Sequence, residues 1–528
     1  MNARLTSCVS LLVAFLTLPL SARAQGSGPH ISSVTQVWAR SYQTIKISGR
    51  GFGSLRKYDG DSAFIRITDL TQNWEAGHTG DAVTINIGSW SDSLITINYF
   101  DGAYGSGNQS LVSGDLLSIE VWNPQTGAGP AKAQGIVLAN VTTLFPFTVA
   151  TGFAEGTPVS DEVGNLYGLG NGGISNSACF GGTCGAVYEL SKGADGTWSI
   201  TTLYEFLGGA DGWSPTGDLV RDVAGNLYGV TRQGGDNSIC FLGCGTVFEV
   251  SHGVKTTLHT FAYNGDGAIP YAGLTMDPAG NMYGTTTYGG TMSCGTVYRL
   301  SPDGSGGLTY SSIYNFQCGA AGDGASPYSK LTLDSSGNLY GTTYSGGNAA
   351  ICEVYQSGCG TIFELSPVGD GTFIEHVLHV FKGTAEGVHP GTGVTFDASG
   401  NLYGVTYNGG PPCSSRYNSG CGVAYALRPL GDGTWQERTI AYFSNNVNDV
   451  DGSTYPFSDL TYHNGVLYGY ARGGASQQGT IYTIALKKGG WTESTIYSFN
   501  LGEGAGGQPF VGSDGTIYGV GDGLFTLP

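Results

Sequence analysis

Positive charge is scarce in this chain. It carries 22 Lys and Arg against 40 Asp and Glu over 528 residues, a formal net charge of −18. That balance lacks the basic footprint that nucleic acid or an anionic lipid surface requires, so neither is expected as a partner. Long apolar runs are missing too. Leu11 to Leu20 is the longest, and it is too short to span a bilayer. The usual signatures of catalysis are absent: there is no HExxH, no GxSxG and no phosphate-binding loop. No CxxC pair occurs, and no histidine spacing beside the cysteines supports zinc. No metal and no cofactor are therefore expected.

The first residues have the form of an export signal. Arg4 supplies a short positive region, Leu11 to Leu20 the apolar region, and Ala22-Arg23-Ala24 an A-x-A cleavage site before Gln25. Removing residues 1–24 removes two arginines and no acid, so the mature charge is 20 minus 40, or −20. A secreted or periplasmic, monomeric protein with no membrane span is expected. Cys8 leaves with the signal, and ten of the 11 cysteines remain. An even number in an exported chain predicts disulfides.

Glycine is abundant, at 90 residues, but so are Tyr (31) and Phe (22), and 40% of the chain is hydrophobic. Disorder would need fewer aromatics, and collagen a strict glycine triplet. The composition predicts an all-β, turn-rich protein with ample core.

After residue 140 a repeat dominates. Gly-Asn-Leu-Tyr-Gly occurs at 164–168, 225–229, 337–341 and 400–404, with variants at 280–284, 465–469 and 515–519. The tyrosines stand at 167, 228, 283, 340, 403, 468 and 518, a period of 50 to 65 residues. Such self-similarity marks propellers and solenoids. Each repeat holds four strand-like runs, a to d, joined by Gly, Pro, Asp and Asn. In the third these are Leu274–Asp277, Met282–Tyr288, Gly295–Leu300 and Leu308–Phe316. The seventh repeat stops at strand c, Leu524–Leu527, and a strand-d sequence, Thr143-Leu-Phe-Pro-Phe147, precedes the first repeat. The spacing therefore predicts a seven-bladed β-propeller over 141–528, closed by residues 142–147, rather than an open solenoid. Pro146 suits an outer strand.

Residues 28–139 lack the repeat. Runs such as Thr44–Ser48, Ala63–Ile67, Val83–Ile87, Leu94–Asn98 and Leu116–Trp122 predict a β-sandwich. The pieces Ile45-Lys-Ile-Ser-Gly-Arg-Gly-Phe-Gly53, Trp90-Ser-Asp-Ser-Leu-Ile95 and Val121-Trp-Asn-Pro124 resemble the IPT/TIG immunoglobulin-like family. The repeats resemble the GloVer-type tandem repeats of exported bacterial proteins. Leu339-Tyr340-Gly341 in strand b and Gly245-Thr246-Val247-Phe248 in strand c carry that likeness. The resemblance implies export and supplies no activity.

In a propeller the d–a and b–c connections share one face. An acid-Gly step precedes a proline in every d–a segment: Glu155, Asp211, Asp266, Asp323, Glu386, Asp451 and Glu503, with Pro158, Pro215, Pro270, Pro327, Pro390, Pro456 and Pro509. This is either turn chemistry or a ring of carboxylates for cations or sugar hydroxyls. In the b–c loops the spacing pairs Cys179 with Cys184, Cys240 with Cys244, Cys352 with Cys359, and Cys413 with Cys421. That leaves Cys294 for Cys318. Zinc is the alternative to these disulfides. The loops are long in blades 1, 2, 4 and 5 and short in 6 and 7, so the face should be lopsided. Arg232, Tyr288, Tyr344, Tyr407 and Tyr417 near its rim either stack on sugar rings or only pack the loops. His259 and His379 occupy equivalent places in strand d, which suggests packing. A glycosidase would need two carboxylates about 5–9.5 Å apart across a cleft, a spacing that the acid ring could supply and that sequence does not show.

Three functions follow. The first is a secreted, non-enzymatic binding or scaffold protein that recognises a glycan or another envelope component on the loop face. The second is a polysaccharide hydrolase or lyase with its site at the propeller axis. The third is a structural surface-layer component.

Overall fold

The computed structural model describes residues 28–527 apart from 36, 39–41, 105, 107–108, 110, 112–114, 139–141, 148–153, 174–176, 180–181, 237, 353–354, 370, 384, 412–419, 444–452, 474–477, 488–489, 500–504, 513–515 and 522. The expected signal at 1–24 lies outside the described residues. So do Cys413, Tyr417, Asp451 and the Glu503-Gly504 step. Among the described residues, the helices are two three-residue 3-10 turns, Gly209–Asp211 and Ala320–Gly322. Among the described residues no helix is long and apolar enough to cross a membrane.

Seven antiparallel sheets follow one another along the chain, so the protein is an all-β, seven-bladed β-propeller built from repeats. Blades 1 to 7 span 154–205, 213–260, 275–315, 332–380, 395–442, 453–498 and 505–527. Blade 2 is typical, with Trp213–Arg221, Leu227–Gln233, Thr246–Ser251 and Val254–Thr260 paired in sequence order. Blade 7 takes its outer strand from Thr142–Pro146, which pairs with Gly523–Leu527.

Three recurring contacts explain the repeated words of the sequence. The glycine of Leu-Tyr-Gly lies opposite the aromatic of strand c in its own blade, as Gly341 does to Phe363. A Cβ on Gly341 would stand 2.6 Å from the Phe363 ring, so only glycine admits it. That strand-c aromatic then meets the strand-d phenylalanine of the preceding blade. Phe206–Phe248, Phe261–Tyr298, Phe316–Phe363 and Phe381–Tyr425 have ring centroids 5.1 to 5.2 Å apart. Phe147 makes the same contact with Tyr188 at 5.4 Å, so the N-terminal strand seals blade 7 against blade 1. The tyrosine of Leu-Tyr-Gly ties down the a–b turn. Tyr228 and Asn226 both donate to Asp222, whose carboxylate also accepts the backbone N–H of Ala224. Burial alone would raise the Asp222 pKa, but these hydrogen bonds outweigh it and hold the carboxyl below its usual range.

Ahead of the propeller, ten strands from His30–Val34 to Ala131–Leu138 surround one apolar cluster that contains Ile45, Ile47, Ile65, Ile67, Ile85, Ile87, Ile95 and Ile97. Alternation along each strand sends these residues inward. The sequence predicts two stacked sheets. The hydrogen bonds join nine of the strands in one continuous order, with the tenth, Tyr58–Gly60, paired at its side. Two short strands make parallel pairs: Trp74–Ala76 bridges Val83–Trp90 to Ile65–Asp69, and Val37–Trp38 ends the path beside Ala131–Leu138.

Candidate functional site: an aromatic vestibule above a polar shaft

The cysteines and prolines of the loop face turn out to be one device. Cys179–Cys184, Cys240–Cys244, Cys294–Cys318 and Cys352–Cys359 are disulfides, and Cys421 is also disulfide-bonded. The second cysteine of each local staple, and Cys294 in blade 3, presents its carbonyl to the next blade. Ser214, Ile269, Ser326, His389 and Tyr455 donate their N–H groups to the carbonyls of Cys184, Cys244, Cys294, Cys359 and Cys421. All five donors have φ between 52° and 59°, a conformation that costs a non-glycine residue free energy and persists only where neighbours enforce it. Each is followed by proline, and each proline sits on the glycine after the cysteine. A Cβ on Gly245, for example, would lie 2.6 Å from Pro270 Cδ.

This device aims the residue after the proline at the propeller axis. In blades 3, 4 and 6 that residue is aromatic: Tyr271, Tyr328 and Phe457. Together with Tyr344, Tyr407 and Arg472 they line a cavity of about 210 Å³. Tyr271 and Tyr328 are 5.2 Å apart, and Tyr328 and Tyr344 5.3 Å. Tyr344 stacks on the buried His389 ring at 4.2 Å. The Arg232 guanidinium lies 5.6 Å over Tyr271, and that of Arg472 lies 5.7 Å over Tyr407. Tyr288 lies beside Tyr328 and is 41% exposed, as is Tyr271. The aromatic surface is therefore accessible rather than packed away.

Below the vestibule runs a polar shaft of about 440 Å³, whose walls include Tyr271, Tyr328, Gly391 and Phe457 from the vestibule. Its lining comes from the innermost strands and the segments that lead into them: Glu155, Asp218, Lys330, Asp459 and Gln508, set among glycines. Lys330 Nζ lies 2.9 Å from Asp218 Oδ2. Asp218 also accepts the Thr157 N–H, and Asp459 accepts the Gly393 N–H at 2.6 Å. Burial, with Asp218 nearby, pushes the Asp459 carboxyl up to about 6. Burial works against the Lys330 charge, but Asp218 outweighs it and holds the ammonium above its usual value. Burial also raises Glu155, and Arg232 partly offsets that.

Arg232, Tyr288, Tyr344 and Tyr407, singled out from the sequence, are thus brought together around one opening. The d–a acids are not. Asp211 accepts from the Tyr204 hydroxyl, the Leu207 N–H and Lys255. Asp266 binds His259 and the Ala262 N–H. Asp323 accepts from the Gln317 and Gly324 N–H groups. Glu386 faces His379 and Lys382. These four carboxylates turn back to strand d, in the manner of turn chemistry, and lie among outer-strand side chains. Glu155 departs from the proposed equivalence: it lies within the strand Ala154–Ser160 and lines the shaft. Tyr271, Tyr328, Phe457 and Arg472 escaped notice in the sequence. The three aromatics share one signal, an aromatic directly after the recurrent proline, at Pro270-Tyr271, Pro327-Tyr328 and Pro456-Phe457; Arg472 has none.

Residues 133–355 match the family described as Gloeobacter/Verrucomicrobia repeat. Among curated proteins nothing matches. A catalytically inactive virginiamycin B lyase from Staphylococcus aureus, solved with quinupristin, is 15% identical with a TM-score of 0.41, over 73% of this chain and 98% of its own. An auxiliary nutrient binding protein from Bacteroides thetaiotaomicron is 11% identical with a TM-score of 0.36, over 95% and 97%. An α-L-arabinofuranosidase from Clostridium thermocellum is 10% identical with a TM-score of 0.30, over 66% and 94%. Likenesses this loose carry nothing about the ligand.

Proposed function

We propose that this chain is an extracellular binding protein that takes a glycan end-on at the propeller axis. One observation carries the proposal: five aromatic rings and two guanidinium groups from several blades converge on one accessible opening above a polar shaft. Aromatic faces stack on the apolar faces of sugar rings, and polar walls below bind hydroxyls. Arg232 and Arg472 favour a sugar that bears a carboxylate. The disulfides fit an oxidising compartment, as does the export signal at 1–24. The IPT/TIG-like domain serves as the attachment or spacer module. Strand d of blade 7 begins at Thr142, on the side away from the d–a connections, which supports a placement of this domain clear of the vestibule.

Calorimetry against neutral and uronate oligosaccharides tests this. Binding that weakens in Tyr271→Ala and Tyr407→Ala supports it. Absence of binding across the panel, or unchanged affinity in both variants, overturns it. The shaft favours a second reading, a hydrolase or lyase, because Asp459, its carboxyl raised to about 6, shares one cavity with Asp218 and Lys330. New reducing or unsaturated ends in the same mixtures would decide for that reading.

A further inference from the structure

The outer strands repeat one arrangement at successive blade interfaces. The acid of the d–a step meets a side chain from strand d of its own blade and another from strand d of the next. At the four interfaces the trios are Tyr204, Asp211 and Lys255; His259, Asp266 and Tyr310; Tyr314, Asp323 and Glu375; and His379, Glu386 and Glu437. Lys255, Tyr310, Glu375 and Glu437 occupy the same place in their strands, opposite Val250, Leu300, Leu365 and Leu427.

The first two trios are complete. Lys255, 2% exposed, bonds the Asp211 carboxylate at 3.0 Å, the Asp211 carbonyl at 2.6 Å and the Thr257 hydroxyl at 2.6 Å. The fold therefore places a cation in this position when the sequence supplies one. Tyr310 stacks on His259 at 3.8 Å and donates to the Asp266 carbonyl. In the third, backbone N–H groups satisfy Asp323. The fourth differs. Glu437 brings a second carboxylate where the first interface has an ammonium. His379 Nε2 and Glu386 Oε2 are 3.3 Å apart, but neither makes a hydrogen bond and both atoms are shut off from solvent. One ligand atom from each of His379, Glu386 and Glu437 lies within 4.8 Å of the other two. Lys382 approaches only the other Glu386 oxygen, at 3.5 Å, and is 61% exposed.

We propose that His379, Glu386 and Glu437 bind a divalent cation of the zinc class, which staples strand d of blade 4 to strand d of blade 5. One imidazole and two carboxylates form a donor set typical of zinc. Bonds of about 2.0–2.1 Å at tetrahedral angles put two ligand atoms roughly 3.3–3.4 Å apart, the spacing already present between His379 and Glu386. A small rotation of Glu437 brings in the third ligand, and water completes the set.

The test uses the untagged full chain, stripped with chelator, then titrated with zinc chloride while bound metal and the thermal midpoint are measured. Wild type should bind one equivalent with a raised midpoint. His379→Ala and Glu437→Gln should lose that equivalent, whereas Glu375→Gln, one interface earlier, should keep it. Glu437→Lys recreates the first interface; it should fold, ignore zinc and melt above the stripped wild type. The proposal fails if stripped wild type takes up no zinc, or if His379→Ala or Glu437→Lys binds it as wild type does.

Discussion

Replacing Asp459 by Asn should stabilise the propeller at neutral pH and leave it nearly unchanged at pH 4. The Asp459 carboxyl titrates at about 6 in the folded protein, against 3.8 for an ordinary aspartate. Between those values the folded chain holds a proton that the unfolded chain has released. Its contribution is therefore fully present below about pH 4, falls as pH rises towards 6, and stays lost above that. At 1.36 kcal/mol per pKa unit the ceiling is about 3 kcal/mol. The shaft admits water, which screens the charge, so roughly half of that is a fair expectation. Asparagine keeps an oxygen to accept the Gly393 N–H and removes the charge that faces Asp218. The gain at pH 7.5 should thus be about 1–2 kcal/mol over wild type. Urea midpoints at pH 4.0 and 7.5 measure it, and other titrating groups cancel in the difference between variant and wild type. Lys330→Met should act in the opposite direction, because it leaves Asp218 and Asp459 without their cation. If Asp459→Asn shifts the midpoint equally at both pH values, or destabilises at pH 7.5, the electrostatic account of the shaft is wrong.

Other outcomes follow from the loop face. Tyr271→Ala and Tyr407→Ala should each weaken oligosaccharide binding by roughly tenfold, the loss of about 1–1.5 kcal/mol of stacking, without moving the thermal midpoint by more than a few degrees. Calorimetry and melting curves check both halves. Opening Cys294–Cys318, which closes 24 residues, should cost about 3.5 kcal/mol by chain entropy, against about 2 kcal/mol for Cys240–Cys244, which closes four. A reversed order in denaturation of the paired Cys→Ala variants would contradict this. Gly245→Ala forces a left-handed φ of 93° on alanine and drives its Cβ against Pro270. It should cost about 3 kcal/mol and, because Tyr271 follows Pro270, should weaken ligand binding as well.

Much of the fold was legible because a propeller repeats its physics. Every blade needs a glycine under its strand-c aromatic and a phenylalanine to meet the next blade, so those residues recur at a fixed period. The displaced strand near Thr143 could be recognised by the same rule, since it carries the strand-d pattern that blade 7 lacks. The N-terminal unit has no repeat to calibrate it. Its short strands, Val37–Trp38 and Trp74–Ala76, are too brief to leave a periodic trace, and Trp74–Ala76 is what joins the two parts of the sheet into one order.

The site was legible only in part. Tyr344, Tyr407 and Arg232 stood out as rim residues, but the acids that seemed to form a ring turn outward to strand d. An acid-Gly step looks the same in sequence whether its carboxylate faces the axis or strand d of its own blade. Glu155 shows the converse: it shares the acid-Gly spelling and lines the shaft.

What the sequence alone determined is the set of local requirements: seven blades, the closing strand, the cysteine pairs and the glycines that must stay small. These are contacts within a blade or between neighbours, and each repeats. Only the tertiary structure decided which side chains meet at the axis and which meet between the outer strands. Tyr271, Tyr328, Tyr344, Tyr407 and Phe457 are up to 186 residues apart (457 minus 271). They share one opening because ring closure brings the innermost strands together. Glu437 sits where Lys255 sits three interfaces away for the same reason, and a cyclic arrangement of blades turns that substitution into a different site.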